Sequence, residues 1–436
     1  MNQGEARIVA YSEKGLNMCA AAARISTFEG CAFKALSRGD GGEKDIKLIG
    51  KVLSSGHKTI IEHQMFTIAF NDVSVLAEQS LIEFRLASYT VKSRRYVNFS
   101  GAGYIIPAGL SGAAEEEFRR NMDGKFEAYK KLLDLGISRE DARFVLPYCF
   151  RSNFFMTLNA RELAHVIAAM RYGRLKRYPE LVRLGEMLNQ QMNEILPGTA
   201  DIEKPAFSRV NTDDSEGTLE MPHRAVTEAA LFGAPSDAEG ILNAALDATN
   251  RFTGDDKLKK LVKDARPREL ELLNYAFMIK NVSLSCVTHF ARHRMQSLIV
   301  PDVERALFKG AYVLPKTIME NAEALIIYEN AFRENYESAC RIRSMGVGND
   351  VLAYYALSGN TVDILLSMNA RELLHFLKLR TCTRAQWEIR ESANEMLMLL
   401  MEDFSALFKY FGPSCAVNGF CPEGRLSCGR IQKTGE

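Results

Sequence analysis

The chain has 436 residues, 47% hydrophobic and 25% charged, with 55 Lys and Arg against 54 Asp and Glu. This is an ordinary globular composition, long enough for roughly two to three domains, and its charge balance excludes a bulk nucleic-acid binder, which carries a basic excess. It has no run of apolar residues long enough to cross a bilayer and no secretory h-region near its start. Its nine cysteines are mostly scattered singly, as reduced thiols are, and a cytoplasmic location is expected.

In chain order, the first clear element is the segment 65–88, MFTIAFNDVSVLAEQSLIEFRLAS. It starts β-rich and passes into helical spacing, with Asp72 or Ser74 as the cap. Segment 115–136, EEEFRRNMDGKFEAYKKLLDLG, reads as an amphipathic helix with Gly136 at its C-terminal end. Segment 226–249, VTEAALFGAPSDAEGILNAALDAT, reads as another helix. Segment 369–404, which opens NARELLH, reads as one long helical pattern with its charges on one side. The class expected is α+β and helix-rich, with a purely helical fold as the competitor.

The chain also repeats itself. NARELAH at Asn159 to His165 returns as NARELLH at Asn369 to His375, an offset of 210 residues. FRLASYT around Arg85 returns as HRMQSLI around Arg294, and YIIP from Tyr104 as YVLP from Tyr312, at offsets of 209 and 208. Near-equal offsets in the same order indicate two copies of one unit of ordinary domain size. The copies are expected at 1–200 and 201–436, with the boundary in the Pro-, Gly- and Asp-rich stretch 196–217.

Several residues carry chemistry. Arg371 and His375 are four apart and share a helix face, as do Arg161 and His165. Arg292-His293-Arg294 closes an apolar run, and guanidinium forks grip phosphates bidentately. Ser93-Arg94-Arg95 offers a hydroxyl and two more guanidiniums. No Rossmann or Walker glycine loop is present, and no Ser-His-Asp grouping stands out. Cys415, Cys421 and Cys428 lack a standard zinc spacing and an evident fourth ligand, so no metal is expected.

Taken together, Arg-His-Arg, a Ser three residues on, Asn-Ala-Arg-Glu-Leu and Arg-Ala-Gln-Trp-Glu-Ile-Arg resemble the flavin-dependent thymidylate synthases. Gly56 to His63, GHKTIIEH, resembles a further segment of that family. The resemblance implies an α/β fold and a homotetramer, which a tandem chain would mimic as a homodimer. It implies FAD, dUMP as substrate, methylenetetrahydrofolate as methylene donor and NADPH as reductant, with no enzyme nucleophile. Transferred by position, it places Thr59, Arg292, His293, Arg294, Asn369, Arg371 and His375 at the flavin, and His57 near flavin and folate. It places Gln79, Ser93, Arg95, Arg143, Arg292 and Arg380 at dUMP, with Arg380 assisting ionisation of the uracil ring.

Each copy departs from the family pattern. The first has Glu83 and Phe84 where the first Arg and the His belong, and Met170 in place of Arg380. The second has Asp302 and Glu304 where the later Ser and Arg belong. Val91 and Val300 replace the signature Glu in both. Because the losses are complementary, one composite site is expected per pair of copies. The alternatives are a flavoenzyme acting on another pyrimidine nucleotide, and a non-catalytic nucleotide-binding paralogue.

Overall fold

The computed structural model describes residues 3–208 and 217–430, so part of the expected boundary, 209–216, lies outside the described residues. The chain forms two compact units, Met1–Gly217 with Glu323–Ala356, and Thr218–Ala322 with Leu357–Glu436.

The first unit is built on four strands: β1 (Glu5–Tyr11), β2 (Met65–Ser74), β3 (Ala87–Val91) and β4 (Arg151–Asn159). They pair antiparallel in the order β1-β2-β4-β3. Alternation sets the buried face: Phe66, Ile68 and Phe70 of β2 and Phe154, Met156 and Leu158 of β4 point inward. Phe70 and Phe154 are register partners and their rings stack at 4.4 Å. The unit's helices include α1 (Val75–Ile82), α2 (Gly112–Asp134), α3 (Ala160–Arg171) and α4 (Pro179–Ile195). Ser74 caps α1 by accepting a hydrogen bond from the Ala77 amide at 3.0 Å. Asp72 instead sits at a bulge with φ of 52°. Gly136, at φ +81°, follows the end of α2 as expected.

The second unit repeats this plan with β5 (Glu228–Gly233), β6 (Asn274–Ser283), β7 (Gln296–Ile299) and β8 (Thr361–Asn369), in the equivalent order β5-β6-β8-β7. The bulge recurs too, with Asn281 at φ 53°. Helices of this part of the chain include α5 (Ala238–Thr249), α6 (Leu284–Ala291), α7 (Val303–Lys309), α8 (Ala322–Ser344, assigned to the first unit from Glu323 onward), α9 (Ala370–Arg380) and α10 (Trp387–Phe408). Two four-stranded sheets exclude the purely helical reading.

Two expectations need correction. Residues 226–249 are not one helix, because Glu228–Gly233 pairs along β6 as a strand before α5 begins. Residues 369–404 do not form one long helix either. They break after Arg380, and Gln386 restarts the pattern by accepting a hydrogen bond from the Ile389 amide at 3.1 Å.

Candidate active site

In the second unit every residue of α6 is buried, and the helix ends by delivering Arg292, His293 and Arg294. Its start is clamped: Ser283 caps it, and the buried Glu388 carboxylate accepts from the Ser283 amide at 2.7 Å and from the Ser283 hydroxyl. The Glu of the Trp-Glu-Ile-Arg motif is therefore a brace for the helix that carries Arg-His-Arg. Basic residues at a helix C-terminus also suit the helix dipole. Arg292 and Arg294 are exposed, whereas His293 between them is only 4% exposed.

His293 bridges two side chains of α9. Its Nδ1 lies 3.0 Å from Glu372 Oε1, and Arg380 Nε donates to its Nε2 at 3.0 Å. A guanidinium can only donate, so Nε2 must be the acceptor and Nδ1 must carry the proton. Arg380 Nη2 also donates to the His289 carbonyl at 3.2 Å. Burial holds the His293 imidazole below its ordinary pKa, so the ring is kept neutral.

Alongside lies a cleft of about 500 Å³, lined among others by Met295, Asn369, Arg371, His375 and Lys378. Arg371 and His375 thus share a face as their spacing predicts. Asn369 has a structural duty as well, because its side-chain oxygen caps α9 by accepting from the Glu372 amide at 2.9 Å. The carboxylates lining the cleft are engaged: Glu271 by Arg371, Asp264 by Arg251, and Glu372 by His293. The cleft wall presents the donors of Arg371, His375 and Lys378, groups that suit an anionic ligand. Its volume is in the range of small-molecule sites.

In the first unit the structure brings Arg95 and Arg143 together at Glu140, with Ser93 beside Arg95. Arg95 Nε donates to Glu140 Oε2 at 2.7 Å, and Arg143 Nε donates to the Glu140 carbonyl at 3.0 Å. The Arg95 amide donates to Ser93 Oγ at 3.3 Å. Arg94 is withdrawn from this group, since it is buried in an ion pair with Glu78, which Ser152 also contacts. Gln79 is buried and donates to Glu83 at 3.4 Å. His57 and Thr59 are exposed, at and just inside the short helix Lys58–His63.

The first unit's counterpart of the cleft wall is covered by its own chain. Phe207 packs edge-on against His165, the counterpart of His375, at 4.9 Å. Glu203 binds Lys58 at 2.9 Å, and Asp201 binds Arg171 at 2.5 Å. Glu83, at the position of Arg292, is paired with Arg174 at 2.9 Å. Glu162, the counterpart of Glu372, is pushed up in pKa by burial.

In the tail, the Cys415 and Cys428 sulfurs approach the Arg430 carbonyl at 4.0 and 3.8 Å. Among the described residues no cluster of three or more His, Cys, Asp or Glu is arranged to hold a metal, and no helix is long and apolar enough to cross a membrane.

The thymidylate synthase complementing protein family matches this chain twice, over residues 7–198 and 214–404. The chain belongs to that family. The double match agrees with the repeated sheet order, so the chain is a tandem duplication of the family's domain. A flavin-dependent thymidylate synthase of Geobacter sulfurreducens is 38% identical over 121 residues, 27% of this chain and 52% of its own length. Enzymes of the same name from Thermococcus onnurineus and Clostridium tetani are each 32% identical, over 37% and 40% of this chain and 68% and 76% of their own lengths. The chain thus spans about half of the Geobacter protein (52%) and more of the other two. Among solved structures, a UMP/dUMP methylase PolB from Streptomyces cacaoi, bound with 5-Br dUMP, is 26% identical over 48% of this chain and 97% of its own, with a TM-score of 0.40. That score is too low to carry fold or function.

Sequence reading missed two partners, Glu372 and Glu140. Glu372 stands inside the Asn-Ala-Arg-Glu motif, but its target is 79 residues away. Glu140 lies in a short stretch whose acidic and basic residues look like ordinary surface charge.

Proposed function

We propose that the protein is a flavin-dependent enzyme that methylates dUMP to dTMP in the cytoplasm, taking a methylene group from methylenetetrahydrofolate and reducing equivalents from NADPH. The observation that carries this reading is the second-unit cleft. Three residues that the resemblance places at the flavin, Asn369, Arg371 and His375, line one wall of it. When bound, the flavin would supply the hydride that turns the transferred methylene into a methyl, with folate leaving as tetrahydrofolate.

The chain's own residues would bind and orient. Arg292 and Arg294, with Asn369, Arg371, His375 and Thr59, would hold the flavin. Ser93, Arg95 and Arg143 would hold the dUMP phosphate, and both guanidiniums already reach Glu140, Arg95 at its carboxylate and Arg143 at its backbone carbonyl. Gln79 and Arg292 would complete the dUMP ligands, His57 would lie near flavin and folate, and Arg380 would face the uracil ring and stabilise its ionised form.

The copies, proposed as 1–200 and 201–436, retain complementary ligands, so the reading is one functional set per pair of copies and one flavin per chain. The cover over His165 by Phe207 supports that stoichiometry. A dimer of the chain would stand for four family domains. A second reading, another pyrimidine nucleotide as substrate, is favoured by Val91 and Val300 at the position of the signature Glu.

The deciding experiment is the visible absorption spectrum of the purified chain with FAD, before and after dUMP, followed by methyl transfer from the folate donor. Flavin bands that shift with dUMP and yield dTMP establish the reading. A chain that takes up no FAD and ignores dUMP overturns it. A response to UMP with none to dUMP selects the second reading.

A further inference from the structure

Arg380 is the residue on which the proposed chemistry leans most, and the second unit contains a device that aims it. Its Nε and Nη2 edge is held twice, by His293 Nε2 at 3.0 Å and by the His289 carbonyl at 3.2 Å. His293 in turn is held from its other nitrogen by Glu372. Both His293 and Glu372 are buried, at 4% and 7% exposure, and the imidazole is walled by the rings of Phe376 at 4.9 Å and His375 at 5.7 Å. A buried imidazole in that position has little freedom to swing out to a phosphate.

We propose that Glu372 and His293 are positioning residues for Arg380: the Glu372 carboxylate fixes His293 as its Nδ1–H tautomer, and the accepting Nε2 then fixes the guanidinium. His293 on this view is a strut between two side chains rather than a ligand of the flavin phosphates. The inference rests on the reading that Arg380 faces substrate. It deepens that reading by separating the Arg-His-Arg motif into two exposed ligand candidates and one internal support.

The chemistry of the pairing makes the tautomer obligatory. If the proton sat on Nε2, two donors would face each other at Arg380 and two acceptors at Glu372. A protonated ring would likewise oppose the Arg380 donor. The first copy is an internal control. There Phe84 replaces the His and Met170 replaces the Arg, so strut and target were lost together, and only the half-buried carboxyl of Glu162 remains. Loss of both members of a pair is what a supporting role for one of them predicts.

The test has two arms on the full chain. The first needs no ligand: long-range proton–nitrogen NMR of the imidazoles, seven in the chain, with His293→Asn identifying the His293 signals. The expected result is an unprotonated Nε2 and a protonated Nδ1, with the tautomer lost or mixed in Glu372→Ala. An Nε2–H tautomer in the native chain overturns the proposal.

The second arm loads the chain with FAD and reads dUMP affinity from the flavin spectrum in Arg380→Ala, His293→Asn and the double variant. His293→Asn should leave FAD affinity unchanged and weaken dUMP about tenfold, roughly 1.4 kcal/mol. It should have no further effect in the Arg380→Ala background, because the two act as one unit. Lost FAD affinity in His293→Asn, or an effect that persists without Arg380, overturns the strut and restores His293 as a flavin ligand. If the native chain takes up neither FAD nor dUMP, the proposed function fails, and the NMR arm still decides the Glu372–His293–Arg380 linkage.

Discussion

Arg95→Ala tests the phosphate assignment most directly. Arg95 pairs with Glu140 at 2.7 Å, and each side chain is about one-fifth exposed, at 22% and 21%. Removing Arg95 takes away one charge-assisted contact to a bound phosphate, about 1.5–3 kcal/mol. It also leaves the Glu140 carboxylate facing the phosphate without its guanidinium. Two like charges about 6 Å apart at an effective dielectric of about 20 repel by roughly 2–3 kcal/mol. The total, about 3.5–6 kcal/mol, corresponds to a loss of dUMP affinity of roughly 300-fold or more. The repulsive part should disappear in Arg95→Ala/Glu140→Ala, leaving a deficit of about 1.5–3 kcal/mol, so the double variant binds dUMP more tightly than the single one. Titration of the flavin spectrum or calorimetry with dUMP reads these differences, and deoxyuridine, which has no phosphate, should bind every variant alike. Glu304→Gln, at the position in the second copy that lacks the Arg, should leave dUMP affinity unchanged. An Arg95→Ala dissociation constant within about threefold of the native value would refute the reasoning, since half a tenfold step is under 1 kcal/mol. A double variant no better than the single one would refute the role given to Glu140.

Three further outcomes are expected. Reconstitution with FAD should saturate at one flavin per chain by absorbance, and a ratio of two would show that the first-copy wall under Phe207 opens. Glu388→Ala should lower the urea midpoint by an amount equivalent to about 3–5 kcal/mol, because it strands the buried Ser283 amide and hydroxyl; Glu388→Gln, which keeps an acceptor, should cost less. The lowered pKa of His293 gives stability a sign against pH. Below the ordinary histidine value, about 6.5, the unfolded chain takes up a proton that the native ring refuses, so stability falls as pH falls from there toward the lowered native value. Urea midpoints across about pH 5 to 7.5 should show this slope in the native chain and a shallower one in His293→Asn.

The sequence carried further than its weak individual motifs suggest. The duplication was readable because three short motifs return at near-equal offsets, and the structure adds that both copies share a bulge at Asp72 or Asn281, a Ser cap, and an Asn cap on the Asn-Ala-Arg helix. The shared face of Arg371 and His375 follows from helical spacing alone. The misread segments show where local signals lose. Glu228–Gly233 has residues that accept a helix, but pairing with β6 makes it a strand. The pattern through Arg380 to Trp387 is helical in composition, yet Gln386 caps a new helix there.

By itself, then, the sequence determined the repeat, the α+β class and the residue types available for anion binding, since periodicity, capping chemistry and side-chain charge are local properties. Tertiary structure alone decided what each of those side chains does. Arg94 and Arg95 are adjacent and chemically identical, but packing buries one against Glu78 and leaves the other with Glu140 beside Ser93. His293 stands between two exposed arginines, but folding brings Glu372 and Arg380 to its two nitrogens. A side chain's role depends on which partners reach its donors and acceptors, and partners 79 and 87 residues away along the chain become neighbours only when the fold closes.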